Sequence, residues 1–352
     1  MKEQLFGKTA DDKHIYLYTL ENSNIKATVS NLGATLVSLL VRDKTGNWLD
    51  VVLGYDDVQQ YLENTNTYFG GTVGRNANRI ENALVAIEGI NYRLPANEGE
   101  NSLHSGPDGF QIRFWEVLKS NERQNGIEFE LISPDKDQGF PGELKMTVIY
   151  ELTDSGLTIS FKGKSDQTTI FNPTNHSYFN LNGQGSGTIL NHLLSLSADF
   201  YTPIKDSRGI PTGEKSLVAE TPLDFRMAAR IGQRINEPFE QLRLTGGYDH
   251  NFVLKKLGEG NEPFAKVIGD KSGIVMEVGT DLPCVQFYSG NFLQHEIGKN
   301  QAIYNERDGF CLETQYTPNG MNHGEERVPV IYPNHEITYR TTYNFSVSSD
   351  IF

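Results

Sequence analysis

The sequence predicts an all-β fold, a large antiparallel β-sandwich with a few short helices. Apolar and polar residues alternate with a period of two in segments from one end of the chain to the other. Aromatic residues make up 11% of the 352 residues, and 34 glycines accompany them. This composition is typical of strands joined by tight turns.

Each strand candidate is short, and it either alternates between apolar and polar residues or is rich in β-forming residues. In chain order they are Ile25–Ser30, Ile127–Ile132, Lys145–Tyr150, Leu157–Phe161, Ile274–Val278, Val285–Tyr288, Phe310–Tyr316 and Glu336–Val347. The turn sequence 153–156 separates two of them and predicts a hairpin. The best helical pattern runs from Arg226 to Leu244, but Pro238 interrupts it, so one or two short helices are expected there.

Strand signals continue along the whole chain without a repeat, a low-complexity tract or a Pro/Ser/Gly-rich linker. We therefore predict a single domain over residues 1–352. A chain of this length can bury a core without disulfide bonds. Its two cysteines, Cys284 and Cys311, are expected to be reduced and buried.

The charge balance excludes some classes of partner. The chain has 31 Lys and Arg against 45 Asp and Glu, a net charge of −14. This sign argues against nucleic acid and against an anionic membrane surface. No segment approaches the roughly 20 apolar residues of a membrane helix, and the first residues lack a secretion signal. These observations predict a cytoplasmic location.

Familiar cofactor and metal motifs are absent from the sequence. The glycine-rich stretch 70–74 lacks the spacing of a dinucleotide loop, and the residues 7–9 lack the first glycine of a phosphate loop. The eight histidines show no His-Glu-x-x-His spacing, and no Gly-x-Ser-x-Gly sequence occurs. We predict no cofactor and no metal.

The segment Asn172–Leu181 is dense in hydrogen-bonding side chains. If it is extended after its proline, Thr174, His176, Tyr178 and Asn180 share one face. Such a face suits a sugar, which has hydroxyls at its edge and apolar C–H faces. A solvent-exposed strand face or a structural hydrogen-bond network would fit the same residues.

The strand Phe310–Tyr316 places Cys311, Glu313 and Gln315 on one face. A carboxylate is costly to bury unless it is paired. Glu313 is therefore either directed to the surface or functional.

Three further segments carry polar groups in turns. Residues 74–80 contain two arginines, which could fix an oxygen-rich ligand or pair with surface acids. His104 lies at a turn, where a structural role is common. Asp249 follows a Gly-Gly pair and could simply cap that turn.

Taken together and in this order, the segments resemble the aldose 1-epimerase (galactose mutarotase) family. The strongest match is Asn172–Leu181. The other matching segments are 74–80, 101–104, 248–251, 286–291 and 312–315. The resemblance spans nearly the whole chain. In place of Ser105-Gly106 the family more often has Gly-Gly, so the shape of that loop can differ.

The resemblance implies the fold of that family, a galactose mutarotase-like supersandwich, and an isomerase acting on aldohexoses such as galactose and glucose. It implies His176 as general acid and Glu313 as general base. The positions implied to contact the sugar are Asn78, Arg79, His104, Tyr178, Asp249 and Gln286, with Arg75 and Phe287 as less well-matched neighbours. We expect a small-molecule aldohexose as the partner, no nucleic acid, no membrane, and a monomer or homodimer.

Mutarotation opens the sugar ring, rotates the C1–C2 bond and closes the ring on the other face. Opening needs one proton taken from the C1 hydroxyl and one given to the ring oxygen. We therefore expect Glu313 to be ionised and His176 to be protonated at neutral pH. The alternatives are an epimerase of sugar 6-phosphates, which needs a cationic pocket, and a sugar-binding or regulatory module without catalysis.

Overall fold

Residues 1–121, 125–255 and 262–348 are described by a computed structural model. In the first half of the chain the strands are β1 (Lys2–Lys8), β2 (His14–Glu21), β3 (Ile25–Ser30), β4 (Thr35–Arg42), β5 (Trp48–Asp50), β6 (Thr72–Val73), β7 (Arg79–Ile80), β8 (Leu84–Ile87), β9 (Ile90–Arg93), β10 (Ser102–Leu103), β11 (Glu116–Asn121), β12 (Gly126–Ser133), β13 (Leu144–Leu152), β14 (Gly156–Ser165), β15 (Thr169–Ile170) and β16 (Thr174–Asn175). In the second half they are β17 (Leu193–Leu196), β18 (Ala198–Thr202), β19 (Ser216–Leu217), β20 (Ala229–Arg230), β21 (Asp249–Leu254), β22 (Ala265–Ile268), β23 (Ile274–Thr280), β24 (Cys284–Tyr288), β25 (Glu296–Ile297), β26 (Ile303–Tyr304), β27 (Cys311–Gln315), β28 (Val330–Ile331) and β29 (Glu336–Val347). The α-helices are α1 (Val58–Glu63), α2 (Glu240–Thr245) and α3 (Gly320–His323).

The large sheet runs in the order β11-β12-β13-β14-β29-β23-β22-β17-β20. The predicted hairpin is confirmed, because β13 pairs antiparallel with β14 and Leu152 lies opposite Leu157. Met146, Val148 and Tyr150 alternate into the core, as the period-two pattern requires. The last strand, β29, lies inside this sheet between β14 and β23.

Two five-stranded sheets accompany it, beside several two-stranded ones: the N-terminal sheet, β1-β2-β3-β4-β5, and the site sheet, β19-β18-β21-β24-β27. One hydrophobic core joins all three, since it contains Leu20 of the N-terminal sheet, Val148 of the large sheet, and Phe252 and Phe287 of the site sheet. The ladders within these sheets are antiparallel, and the all-β prediction is confirmed.

The segment Arg226–Leu244 does not form one helix. It contains β20, a short 3₁₀ turn at Ile231–Gln233, and then α2, which begins at Glu240. Helix α2 begins after Pro238 because proline cannot donate the hydrogen bond that a helix interior needs. The expectation of short helices is therefore confirmed, and no helix in the described part of the chain is long and apolar enough to span a membrane.

Three strands of the site sheet set the position of the functional groups. Strand β24 pairs with β21 on one side and with β27 on the other. In this register Gln286 lies opposite Asn251 and also opposite Glu313. Both cysteines, Cys284 of β24 and Cys311 of β27, are free and buried, as expected.

Candidate active site

A cavity of about 430 Å³ opens over the site sheet. All eight residues that the sequence singled out as catalytic or sugar-binding line it: Asn78, Arg79, His104, His176, Tyr178, Asp249, Gln286 and Glu313. They come from three strands of the site sheet and from segments near β7, β10 and β16. The assignment of roles among them remains a prediction, but their convergence is a property of the fold.

His176 and Glu313 meet across this cavity. His176 Nε2 lies 3.5 Å from Glu313 Oε2. The two residues are only 5% and 3% exposed, so the surface-directed alternative for Glu313 is excluded. Glu313 Oε2 is buried and accepts no hydrogen bond from any protein group in the described ranges. This oxygen is therefore available to a ligand.

Burial reverses the charge states that the chemistry led us to expect. Desolvation lowers the pKa of His176 to about 4, although the residue's own carbonyl opposes this. Desolvation raises the pKa of Glu313 to about 8, Asp249 adds to the rise, and Arg79 opposes it. At neutral pH the imidazole is then neutral and the carboxyl group protonated, so the expected ion pair is not the resting form.

Two tyrosines enclose the His176 ring. Tyr68 stacks on it with 5.5 Å between ring centroids, and Tyr178 stacks with 5.2 Å. His104 approaches edge-on at 5.3 Å. These rings exclude water from the imidazole, and this exclusion causes its lowered pKa.

Arg79 has both of the roles that the sequence left open: it pairs with acidic residues, and it lines the cavity. Its guanidinium donates two hydrogen bonds to the Glu98 carboxylate, at 2.7 and 2.8 Å, and lies 4.0 Å from Asp249. It also lines the cavity. Burial opposes its charge, but Glu98 and Asp249 raise its pKa, so it is a cation held in a fixed orientation.

The remaining predicted contacts are also held by the protein. Gln286 Nε2 donates to Asp249 Oδ1 at 2.7 Å. The Asn78 backbone N–H donates to His104 Nδ1 at 3.2 Å, which leaves Nε2 of that ring for other partners. Burial raises the pKa of Asp249 and lowers that of His104 well below its usual range, so His104 is neutral at pH 7.

Four other residues considered from the sequence lie outside the cavity wall. Asn180 donates to the carbonyls of two loops, and the described residues that line the cavity do not include Thr174. The segment 172–181 forms a strand only at β16, so it cannot keep all four predicted side chains on one face. Arg75 is buried in a separate hydrogen-bond network, and Phe287 packs in the core.

Sequence reasoning missed several residues of the cavity. These are Asn66, Thr67, Tyr68, Asn97, Glu98, Leu103, Tyr288, Phe292, Leu293 and Glu296. Tyr68 precedes the Gly70-Gly71 pair, and Glu98 lies in a loop before β10. No spacing rule links either of them to His176 or Arg79, so nothing short of the fold places them.

The cavity also holds a cluster with the composition of a metal site. One ligand atom each from His104, His176 and Glu313 lie within 4.8 Å of one another. Two imidazoles and a carboxylate are a donor set that zinc uses in catalytic sites. Two of these residues, His176 and Glu313, form the predicted acid–base pair, so an ion bound there would compete with proton transfer.

Comparisons with known proteins agree with one another. A family model described as aldose 1-epimerase matches residues 16–344. Galactose mutarotase from Sus scrofa is 40% identical over 334 residues, which cover 94% of each chain. Aldose 1-epimerase from Escherichia coli K12 is 36% identical over 339 residues, which cover 95% of this chain and 96% of that protein.

Solved structures give the same result. The crystal structure of galactose 1-epimerase from Lactobacillus acidophilus matches with a TM-score of 0.85 and 30% sequence identity, and the match covers 99% of this chain and 98% of that one. A family model over nearly the whole chain, relatives at this level of identity and a shared fold leave one conclusion. The chain belongs to the aldose 1-epimerase family.

Proposed function

We propose that this protein is an aldose 1-epimerase that interconverts the α and β anomers of aldohexoses such as galactose and glucose. Glu313 is the general base and His176 the general acid. The observation that carries the proposal is the 3.5 Å approach of these two buried groups in a cavity of about 430 Å³. The curated relatives named galactose mutarotase and aldose 1-epimerase support it.

The reaction requires proton transfers, the reversible breaking of the bond between C1 and the ring oxygen, and one bond rotation. The Glu313 carboxylate accepts the proton of the C1 hydroxyl while the His176 imidazolium gives a proton to the ring oxygen, and the bond between C1 and that oxygen breaks. The resulting aldehyde rotates about C1–C2. Closure returns both protons by the reverse path, and each group contributes roughly 10²–10⁴-fold to the rate.

One proton transfer, from Glu313 to His176, converts the resting charge states of the pair into those that the reaction needs. A neutral imidazole beside a protonated carboxyl group holds the same number of protons as an imidazolium beside a carboxylate. When sugar hydroxyls solvate the two groups, transfer of the proton from Glu313 to His176 produces the reactive form. The pair therefore needs one shared proton, whichever group holds it at rest.

The other lining residues position the sugar. Arg79, fixed by Glu98, and Asp249, fixed by Gln286, offer a donor and an acceptor whose orientations are set in advance. Asn78, His104 and Tyr178 complete the wall as hydrogen-bonding or stacking partners. Holding the open chain in place keeps the aldehyde within reach of the acid–base pair while C1 rotates.

The charge of the cavity favours neutral sugars over sugar phosphates. Among the described lining residues Arg79 is the only lysine or arginine, and it is already paired with an acid. The carboxyl groups that line the cavity are Glu98, Asp249, Glu296 and Glu313. A phosphate dianion would meet more acids than cations there.

Polarimetry on freshly dissolved α-galactose tests the proposal. We expect the purified protein to accelerate mutarotation and Glu313→Gln and His176→Asn each to lose roughly 10²–10⁴-fold. The exposed substitutions Glu143→Gln and His14→Asn are the matched controls. Dialysis against EDTA should leave the rate unchanged, and glucose 6-phosphate should react far more slowly than glucose. Sugar binding without acceleration would instead identify a binding module.

A further inference from the structure

We infer that Gln315 is a positioning residue of the sugar site: its side-chain amide holds Gln286, and through it Asp249, in the orientation that a bound sugar meets. The inference rests on the proposed function, which assigns Gln286 and Asp249 to contacts with the sugar. Gln315 is not among the described residues that line the cavity, and the proposed mechanism gives it no role.

The register of the site sheet brings these side chains to one face. Gln286 lies opposite Asn251 of β21 and opposite Glu313 of β27. Gln315 follows Glu313 by two positions, so it projects from the same face of β27. It is 0% exposed, so its amide finds its hydrogen-bond partners inside the protein.

A chain of amides connects Asp249 to Gln315. Gln286 Nε2 donates to Asp249 Oδ1 at 2.7 Å, which leaves Gln286 Oε1 for a different partner. Gln315 Nε2 donates to that oxygen at 3.2 Å and to Asn251 Oδ1 at 2.9 Å. Gln315 therefore holds the second end of the Gln286 amide, and Asn251 holds Gln315.

The direction of the chain follows from Asp249. Its carboxylate, which the Arg79 guanidinium at 4.0 Å favours, can only accept hydrogen bonds. Gln286 must then turn its N–H to Asp249 and its oxygen to Gln315, which in turn must supply its nitrogen. Were Asp249 protonated, all three amides would reverse together, and Gln315 would still be the partner of Gln286.

The side chain of Gln315 is tied to the protein by these two contacts. Its Nε2 serves Gln286 and Asn251, whereas its Oε1, although buried, accepts from no described protein group. Methionine has a similar length and would fill the position, but it could not donate to Gln286. A methionine substitution therefore separates the packing of Gln315 from its positioning role.

Fixing Gln286 matters for binding because Gln286 in turn holds Asp249, and both line the cavity. Groups that are already held in their bound orientation lose less conformational entropy when the sugar binds. The hydrogen bonds of the Gln315 amide go to Gln286 and Asn251 and not to the proposed acid–base pair. Loss of this amide should therefore raise KM and leave kcat nearly unchanged.

A double-mutant cycle with Gln286 tests the inference. We expect Gln315→Met to raise KM and the dissociation constant for galactose about tenfold, with kcat within about twofold of the wild-type value. Gln286→Met should raise KM at least as much, and adding Gln315→Met to Gln286→Met should have no further effect. Factors that multiply in the double variant, or an unchanged KM in Gln315→Met, overturn the inference.

Gln241→Met is the matched control. Gln241 is also a buried glutamine, and its amide makes two hydrogen bonds with the backbone of Ile204. It is not among the described residues that line the cavity, so its substitution should lower thermal stability and leave KM unchanged. A rise in KM equal to that of Gln315→Met would assign both effects to general destabilisation and overturn the inference.

Two readouts separate the role of Gln315 from the proposed function. Galactose affinity is measured without turnover, so the cycle decides this role even if the protein proves to bind sugar without epimerising it. In the wild type, NMR should show the side-chain amide signal of Gln315 shifting together with that of Gln286 when galactose is added. A Gln315 signal that stays in place while the Gln286 signal shifts overturns the inference, and this measurement needs no variant.

Discussion

Arg75 uses its five N–H groups to contact six acceptors inside the protein, with one hydrogen shared: the hydroxyls of Ser133 and Thr169 and the carbonyls of residues 133, 134, 141 and 142. Burial lowers the pKa of this guanidinium to about 10, which still leaves it charged at neutral pH. Arg79, four positions later, reaches the cavity and pairs with Glu98. An arginine side chain thus holds loops together at position 75 and faces the cavity at position 79.

Substituting these two arginines should separate stability from binding. Arg75→Met leaves several buried carbonyls without donors, so the free energy of unfolding should fall by about 3–5 kcal/mol. Arg79→Met should lower sugar affinity and kcat/KM while costing little stability. Thermal denaturation and titration with galactose measure both effects. An Arg75→Met protein as stable as wild type would contradict the structural role.

The expected pH dependence of kcat/KM follows from the proton shared by the proposed acid–base pair. Below about pH 4 both His176 and Glu313 are protonated and no base remains; above about pH 8 both are deprotonated and no acid remains. We expect a bell-shaped profile with its limbs near these values and its maximum between them. Stopped-flow polarimetry with galactose from pH 3 to pH 10 measures it, with buffer catalysis subtracted at each pH.

Replacing Glu313, the proposed base, tests the upper limb of that profile. Glu313→Gln should lose the limb near pH 8 together with most of the activity. A limb that survives in this variant would assign that titration to another group, and Asp249, whose pKa burial also raises, would be the first to examine.

At the level of single residues, the sequence identified the side chains of the cavity better than it identified their protonation states. The ordered motifs pointed to eight residues that all line one cavity. The protonation of His176 and Glu313 is not predictable from the sequence, because it depends on burial in the folded site; Tyr68, which stacks on His176, belongs to no motif. Desolvation is a property of the folded surroundings rather than of the residue.

At the level of elements, the segment Asn172–Leu181 is held by its asparagines together with backbone pairing to β6 and to Phe310. Asn172 accepts the N–H of Tyr316, and Asn175 donates to the carbonyl of Gly70. Asn180 donates to the carbonyls of Gly187 and Asp308. The structural-network interpretation is therefore correct for the asparagines, while His176 and Tyr178 face the cavity.

Removing one of these amides should weaken the fold without weakening the contact with sugar. Asn180→Ala leaves two carbonyls without their donor, so the free energy of unfolding should fall by about 2–4 kcal/mol while KM stays close to the wild-type value. The exposed Asn91→Ala is the control. Chemical denaturation and initial rates measure the two quantities, and a large rise in KM would place Asn180 in the binding site after all.

Strands were the more predictable elements because alternation in the sequence records which side of a strand is buried. The prediction Glu336–Val347 coincides with β29, and Lys145–Tyr150 lies within β13. The interval Arg226–Leu244 forms an α-helix only at its end, because its apolar spacing of four also reflects the burial of separate residues, such as Ile231 and Ile235, in an irregular segment. Apolar spacing alone cannot distinguish a continuous helix from separately buried residues when the segment contains a proline.

At the level of the whole molecule, we propose that residues 1–352 form one domain. The core shared by the N-terminal sheet, the large sheet and the site sheet leaves no plane along which the described residues could separate without exposing apolar surface. Differential scanning calorimetry should therefore show a single unfolding transition. Two resolved transitions, or a stable proteolytic fragment that retains half of the sheets, would contradict this.

The position of β29 between β14 and β23 has a consequence for biosynthesis. Of the strands in the large sheet it is the last to leave the ribosome, so until then the nascent chain presents two open strand edges, both able to pair with another polypeptide. Glu313, the proposed base, also emerges late, so the growing chain should be inactive for most of translation. Chaperone dependence and aggregation during synthesis should accordingly be governed by a few residues near position 340, far from the pocket itself.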